Sequence, residues 1–519
     1  MMNKSALWSQ KTKSEFRNMQ AKAYQSGGAA KVEKQHNAGK LTARERIELL
    51  FDKGTFQEFN LLSMSRQNDL IIKKQHYLGD GVITGYGEIN GKLSFAASQD
   101  AAVSGGAGGE EHINKVVRCL KRAIEAQAPF ISLNESGGAR IEEGIDSLAA
   151  YSNLFYLNTE ASGYIPQIAA IMGNCAGGSS YSPVLHDFVF MVKSSQMYIT
   201  GPQVIESLTG EKVTMEELGG ADIHSKKSGQ AHFTYNSDEE CIEGIRRLLS
   251  YLPQNCHAHA ARNPFQSIDN CHGLEELVPE NKRIPYDIKE VVKLIFDEKS
   301  FMEVSENFAP NICIGFARLE GETVGLVANQ PNVLGGTLDC DAADKGARFV
   351  RFCDCFNIPI ITLVDVPAFM PGKVQEEKGI LRHGSKLLYA FSEATVPKIT
   401  LILRKAYGGA YCAMSSKNLK GDMVFAWPVC EIAVMGADGA VSVIFKKQIE
   451  NAENPVAEKE KLVGQYNELY LNPYFAASRA LVDEIIAPED TRKKFIAALK
   501  MLREKNVTRL DKKHGNIPL

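Results

Sequence analysis

Apolar positions along the chain follow two periodicities in turn, and this succession occurs twice. Runs of apolar and β-branched residues at 80–97 and 312–329 are typical of strands, and each leads into a glycine-rich turn. Apolar residues at helical spacing follow at 112–126 and 342–355. Four short apolar strands then follow proline residues: Phe130–Leu133, Gln167–Met172, Ile360–Val364 and Lys398–Leu403. Repeated strand–turn–helix units predict an α/β fold with parallel strands and right-handed crossovers.

The spacing between matching positions indicates an internal duplication. Pairs of matching residues lie 230 residues apart: Gly91 and Gly321, Gly105 and Gly335, Pro129 and Pro359, and Glu135 and Asp365. Gly177 and Gly408 are separated by 231 residues. So constant a spacing predicts two similar domains, which we place at residues 1–260 and 261–519. The polar segment 254–285, rich in Asn, His and Pro, is predicted to be the linker.

Composition excludes several classes of protein. The 519 residues are 44% hydrophobic and 23% charged, with a net charge of −3, so nothing favours nucleic acid as a partner. The N-terminus lacks the apolar core of a signal peptide, and no run of 18 apolar residues predicts membrane insertion. Eleven cysteines, mostly within apolar runs, are typical of reduced thiols. We therefore expect a cytoplasmic protein.

Two glycine-rich segments, 173–179 and 405–411, carry most of the candidate chemistry. Each lies between a predicted buried strand and a helix. Small residues there allow backbone N–H groups to face a ligand, and the helix N-terminus adds partial positive charge. Such a site suits an oxyanion, for example an enolate or a tetrahedral intermediate. The alternative is that glycine only provides space for close packing of strand and helix.

The polar run 134–144 follows a predicted buried strand. It is either a strand-end loop capped by Ser136 or a wall of the ligand site, because α/β proteins bind ligands at the carboxyl ends of strands. Arg140 could bind phosphate or pair with Glu143 on the next turn. For Cys175 we predict a packing role, since no histidine lies nearby in sequence.

Several other motifs are missing or incomplete. No nucleotide P-loop and no G-x-S-x-G nucleophile elbow occur. Cysteines and histidines of the predicted linker match no zinc-finger spacing, so no metal is predicted.

Longer motifs resemble the carboxyltransferase (β) subunit of biotin-dependent acyl-CoA carboxylases, of the propionyl-CoA carboxylase type. The family also includes the methylmalonyl-CoA decarboxylase α subunit and the transcarboxylase large subunit. The similarity runs from about residue 32 to 519. Its marks are the segments 39–46, 136–140, 175–178, 382–384, 393–397, 405–411, 426–428, 431–436 and the C-terminal tail.

The resemblance implies a crotonase-like (Clp-protease/crotonase) ββα superhelical fold used twice. It implies a homo-hexamer whose active sites lie between the N-half of one chain and the C-half of another. Acyl-CoA would lie mainly on the N-half and carboxybiotin mainly on the C-half. The backbone of Gly177 and Gly178 would form one oxyanion hole, and that of Gly409 and Ala410 the other.

The resemblance also implies substrate, partner and site residues. Carboxyl transfer from carboxybiotin to propionyl-CoA is expected first and to acetyl-CoA next, with biotin supplied by a separate biotin carboxylase or carrier subunit. Substrate-binding positions would be Gly137, Gly138, Ala139, Arg140 and Cys412, and no metal is implied. Cysteine at position 412 departs from the Asp, Leu or Ile of relatives, and this position helps set acyl preference.

Three alternatives remain open at this point. The transfer could run from methylmalonyl-CoA to biotin, as in decarboxylase and transcarboxylase components. The chain could be a catalytically silent scaffold, which the retained glycine pairs argue against. It could also be a crotonase-type hydratase, for which Glu142 and Glu143 are the nearby adjacent carboxylates.

Overall fold

The computed structural model describes residues 8–65, 77–266 and 271–519. Contacts divide the chain into two compact units, residues 1–258 and 259–519. Each unit contains an eight-stranded sheet that begins with antiparallel strands and continues with parallel ones.

The first unit orders its strands β1-β2-β3-β4-β5-β6-β8, and β7 pairs with the far end of β5. The strands are β1 Gln57–Phe59, β2 Val82–Ile89, β3 Lys92–Gln99, β4 Phe130–Ser136, β5 Gln167–Ala176, β6 Phe188–Val192, β7 Gln196–Tyr198 and β8 Phe233–Tyr235. The helices are α1 Gln10–Tyr24, α2 Ala29–Asn37, α3 Ala43–Leu50, α4 Glu110–Glu125, α5 Ile145–Ala161, α6 Gly178–Leu185, α7 Pro202–Thr209, α8 Met215–Gly219, α9 Ala221–Lys226 and α10 Asp238–Leu249.

The second unit repeats this order as β9-β10-β11-β12-β13-β14-β16, with β15 pairing with β13. The strands are β9 Met302–Val304, β10 Ile312–Leu319, β11 Glu322–Asn329, β12 Ile360–Val366, β13 Lys398–Tyr407, β14 Met423–Ala426, β15 Glu431–Ala433 and β16 Glu484–Ile485. The helices are α11 Leu274–Leu277, α12 Ile288–Ile295, α13 Cys340–Cys355, α14 Lys373–Lys378, α15 Ile380–Glu393, α16 Gly408–Ala413, α17 Ala437–Ile444, α18 Lys446–Glu450, α19 Pro455–Tyr470, α20 Pro473–Ser478 and α21 Thr491–Leu502.

Matching irregularities confirm the duplication predicted from the spacing. In the first unit Asn134 pairs with Ile171, whereas Ser136 pairs with Cys175, so β5 has two extra residues at this point. The corresponding shift in β12 and β13 falls between Val364 and Val366. Such a bulge changes the direction of a strand, and both bulges lie just before the glycine-rich turns.

The cores consist of the apolar strand and helix residues that the periodicity predicted. Ile113, Cys119 and Leu154 of the first unit are at most 4% exposed, where helices pack on the sheet. In the second unit the indole of Trp427 is buried and donates to the hydroxyl of Thr491 at 3.0 Å. Burial of these side chains is the main force that holds each helical layer to its sheet.

The prediction of a polar linker over 254–285 is partly wrong. Cys271, Leu274 and Val278 are buried in the hydrophobic core of the second unit, and Leu274 opens α11. Residues 267–270 of the segment lie outside the described residues. Sparse apolar residues among Asn, His and Pro concealed this packing role, because they form no regular period.

Candidate active site

A sharp turn joins β5 to α6, and Gly177 lies at its centre. Gly177 has φ 56° and ψ −129°, a conformation that side chains disfavour. Its N–H donates to the carbonyl oxygens of Tyr198 and Ile199, at 3.1 Å each. A Cβ at Gly177 would lie 3.7 Å from the nearest heavy atom, so backbone conformation rather than space requires glycine here. The N–H of Gly177 is therefore engaged by neighbouring backbone.

Helix α6 begins directly after this turn, at Gly178. The N–H groups of Gly178 and Ser179 are in the first turn, where no carbonyl four residues earlier belongs to the helix. A Cβ at Gly178 would lie 3.3 Å from the ring of Tyr151, which packs beneath the turn. Helix dipole and main-chain N–H groups together make this end of α6 suited to negative charge.

The loop that follows β4 packs against the same turn. Gly138 has φ +98°, and a Cβ there would lie 3.0 Å from the carbonyl oxygen of Ala176. The N–H of Gly138 also donates to the Ser136 hydroxyl at 3.2 Å, as the strand-end capping interpretation predicted. Gly137 donates its N–H to the carbonyl of Gly105 at 3.1 Å. The structure thus brings the predicted wall and the predicted hole together.

Ala139 and Arg140 hold the wall in place. Ala139 forms a parallel bridge with Gly108, and the N–H of Arg140 donates to the Gly108 carbonyl at 2.9 Å. The buried guanidinium of Arg140 lies 2.7 Å from Asp80 Oδ1 and 3.0 Å from Glu143 Oε1. The predicted pairing of Arg140 with Glu143 is confirmed, and Asp80 is an additional partner.

A second turn of the same kind joins β13 to α16. Gly408 has φ +57°, and a Cβ there would lie 3.1 Å from the carbonyl oxygen of Val434. Gly409 is less crowded, because its Cβ would lie 3.9 Å from the Phe369 ring. Ala410 is fully buried, and its position in the first helical turn leaves its N–H without a helical partner. Cys412 follows on the same helix and is exposed.

Buried ion pairs, which sequence reasoning missed, lie behind both turns. Asp365 near the end of β12 accepts from Arg404 Nε at 2.9 Å, and both side chains are almost inaccessible. In the first unit Glu135 near the end of β4 lies 2.8 Å from the fully buried Arg46, which comes from α3. The 230-residue match of Glu135 with Asp365 was the available signal, although it did not identify the cations.

Cys175 is buried near the end of β5. Its Sγ lies 3.2 Å from the carbonyl oxygen of Ser179. Burial raises the pKa of the Cys175 thiol to about 12, so the thiolate form is disfavoured. The predicted packing role is confirmed.

The described part of the chain offers neither a metal cluster nor a membrane-spanning helix. Within 8–65, 77–266 and 271–519, no three His, Cys, Asp or Glu side chains are grouped so that they could hold a metal ion. No helix in the same ranges is both long enough and apolar enough to cross a bilayer.

Comparison with known proteins identifies the protein family to which the chain belongs. The family model described as the carboxyl transferase domain matches residues 34–517. The chain belongs to this family, so the prediction of a biotin-dependent acyl-CoA carboxyltransferase is confirmed.

Individual relatives agree with this assignment. The chain is 51% identical to the propionyl-CoA carboxylase carboxyltransferase subunit of Haloferax mediterranei, over 97% of this chain and 98% of that protein. It is 49% identical to methylmalonyl-CoA decarboxylase subunit alpha of Propionigenium modestum, over 95% and 96%. The crystal structure of transcarboxylase 12S, described as a hexamer with methylmalonyl-coenzyme A bound, matches with TM-score 0.96, 47% identity and full coverage of both chains. This likeness confirms the predicted crotonase-like fold.

Proposed function

We propose that the chain moves a carboxyl group between biotin and the α-carbon of a short-chain acyl-CoA, with propionyl-CoA as the preferred acceptor and acetyl-CoA next. The observation that carries the proposal is the pair of glycine turns, each of which presents main-chain N–H groups at a helix start. The 51% identity to a propionyl-CoA carboxylase subunit supports the choice of acyl group.

The first unit is proposed to bind acyl-CoA. Sequence analysis expected the N–H groups of Gly177 and Gly178 as donors, but the Gly177 N–H already donates to the carbonyl oxygens of Tyr198 and Ile199. The N–H groups of Gly178 and Ser179 would instead hold the thioester oxygen as it becomes an enolate oxygen, while Gly177 supplies the turn. Donors that are fixed in advance need no reorganisation as charge develops, which is why they stabilise a transition state. Gly137, Gly138, Ala139 and Arg140 would line the substrate. The ion pair of Arg140 with Asp80 would also hold their loop.

The second unit is proposed to bind the ureido ring of biotin. Gly409 suits a ring close to the backbone, because its Cβ position has only ordinary contacts. The N–H groups of Gly409 and Ala410 would hold the ureido oxygen. Carboxybiotin, when presented, supplies the carboxyl group and leaves a basic ureido group. Cys412 is proposed to contact the acyl chain.

Assembly, partners and location are also part of the proposal. The transcarboxylase 12S structure is described as a hexamer, and we extend that state to this chain, with each site formed by the N-half of one copy and the C-half of another. The biotin would come from a separate biotin carboxylase or carrier subunit. A cytoplasmic location is proposed with it.

The second candidate function is the same transfer in the reverse direction, from methylmalonyl-CoA to biotin. The 49% identity to a methylmalonyl-CoA decarboxylase subunit favours it about as well as the forward direction. A hydratase is less well supported, because Glu143 already accepts from the N–H of Glu110 at 2.6 Å and pairs with Arg140.

The test is carboxyl transfer to free biotin by the purified protein, with methylmalonyl-CoA and malonyl-CoA as donors. Transfer that the Gly178→Pro variant loses supports the proposal, and the preferred donor identifies the acyl group. Hydration of crotonyl-CoA without any transfer would contradict it. Light scattering should give six times the 57.1 kDa chain mass.

A further inference from the structure

Three buried hydroxyl groups lie in a row beneath the first glycine turn. Tyr151, Ser179 and Ser136 are at most 3% exposed. The Tyr151 hydroxyl lies 2.5 Å from Ser179 Oγ, which lies 2.7 Å from Ser136 Oγ. We call these three residues the hydroxyl chain.

The hydrogen bonds of the hydroxyl chain run in one direction. Ser179 donates its single proton to Ser136, which also accepts the N–H of Gly138. Tyr151 must then be the donor to Ser179. Burial raises the pKa of Tyr151 to about 12, so the phenol keeps the proton that this arrangement requires.

Each member of the hydroxyl chain belongs to a different part of the site. Ser136 ends β4 and begins the wall, Ser179 is the second residue of α6, and Tyr151 lies in α5. The Tyr151 ring also supports Gly178 from below, at 3.3 Å from its Cβ position. On the other side, a Cβ at Gly108 would lie 2.4 Å from the Tyr151 hydroxyl oxygen, so the ring has little room to move.

The second unit does not repeat this arrangement. The bulge places Val366 and Ala410 at the positions equivalent to Ser136 and Ser179. Neither residue has a hydroxyl group. The hydroxyl chain is therefore a feature of the turn whose proposed ligand is the acyl thioester.

We infer that Tyr151 and Ser179 are positioning residues, which hold the Gly178 and Ser179 N–H groups at a fixed distance from the Gly137–Gly138 wall. The inference rests on the proposed function, because it takes those N–H groups to be the oxyanion donors. Donors must be held to about 0.5 Å, and an error of about 1 Å costs on the order of 100-fold in rate. Side chains that join the helix start to the wall fix that distance.

The test compares Tyr151→Phe, Ser179→Ala and the double variant in transfer from methylmalonyl-CoA to biotin. Tyr151→Phe removes one hydrogen bond of the hydroxyl chain and Ser179→Ala removes both, so kcat should fall about 10- to 100-fold in each variant. KM for the acyl-CoA should change less than about threefold, because the contacts with the rest of the substrate remain. The double variant should be no slower than the slower single variant, because the residues act as one unit.

Ser182→Ala is the matched control. Ser182 lies on the same helix, is buried, and donates to Asn158 Oδ1 at 2.9 Å. This variant should lose thermal stability about as Ser179→Ala does and keep kcat within about twofold. A comparable fall in kcat for Ser182→Ala, or fully additive losses in the double variant, would show a merely structural role.

The outcome for Gly178→Pro separates the two ideas. If Gly178→Pro keeps the wild-type kcat, the proposed donors are wrong and the positioning role is refuted with them. If Gly178→Pro loses kcat while Tyr151→Phe and Ser179→Ala keep it, the oxyanion hole stands and only the positioning role is refuted.

Discussion

Replacing Gly178 by proline and by alanine separates its N–H from its small size. Proline lacks the N–H, whereas alanine keeps it, and both place a Cβ at 3.3 Å from the Tyr151 ring. At that distance the ring must shift by a few tenths of an ångström in either variant. The two variants therefore differ in the hydrogen-bond donor and in the proline ring carbons that replace it, but not in the added Cβ.

Proline is well tolerated at this position of a helix. Gly178 is the first residue of α6, where a missing N–H breaks no helical hydrogen bond. The preceding Gly177 has ψ −129°, outside the α region that a following proline disfavours. We therefore expect Gly178→Pro to fold and to assemble as the wild-type chain does.

The expected loss follows from the role of one donor in an oxyanion hole. Removing one such donor costs about 2.7–4 kcal/mol, or roughly 100- to 1,000-fold in kcat. Gly178→Ala should retain most of the activity because its N–H is unchanged. The assay is transfer from methylmalonyl-CoA to free biotin at saturating donor, with size-exclusion chromatography as the check on assembly.

Two results would contradict this reasoning. Equal kcat for the proline and wild-type proteins would show that the Gly178 N–H does not stabilise the transition state. An equally large loss in both variants would show that the Cβ, and not the missing N–H, disturbs the site.

Three further predictions concern the second turn, a buried charge and two thiols. Gly409→Pro should lower kcat about 100-fold relative to Gly409→Ala, which keeps the N–H and has only ordinary contacts at 3.9 Å. Arg46→Met should lower the free energy of unfolding by about 3–5 kcal/mol, because it leaves the buried carboxylates of Glu135 and Asp238 without their cation. Arg503→Met, at an exposed ion pair, should lower it by under about 1 kcal/mol, and thermal melting at one protein concentration compares the two variants. Iodoacetamide should label the exposed Cys412 and Cys355 before the buried thiols, as peptide mass spectrometry would show. If Cys412 faces the substrate, Cys412→Ser should protect transfer activity from inactivation by iodoacetamide.

Periodicity and glycine spacing predicted the elements of the fold better than their ends. β5 was predicted to end at Met172 but continues to Ala176, and β13 continues past Leu403 to Tyr407. The apolar run stops at Gly173-Asn174, so the pattern no longer indicates a strand. The strand persists because its far end pairs with β7, where Asn174 lies opposite Gln196.

The buried ion pairs behind the two turns could not be predicted from local sequence patterns. Arg46 precedes its partner Glu135 by 89 residues and comes from a helix of the N-terminal region. In the second unit the cation Arg404 lies on the neighbouring strand instead. Gly173 occupies the position equivalent to Arg404, and a Cβ there would lie 2.4 Å from the Glu135 carboxyl group. Only the folded chain shows that one glycine makes room for the longer acidic side chain.

The two turns keep their backbone geometry while their side-chain supports differ. Gly177 and Gly408 share a φ near +57°. A hydroxyl chain supports the first turn in addition to the Glu135 ion pair, whereas Val366 and Ala410 replace its serines at the second turn, where Asp365 pairs with Arg404. When the proposed catalytic groups are main-chain N–H groups, selection acts on backbone conformation rather than on side-chain identity. Side chains around each turn are then free to diverge toward a different ligand. This explains how a duplicated chain can retain few identities between its halves and still carry two proposed oxyanion sites with the same backbone geometry.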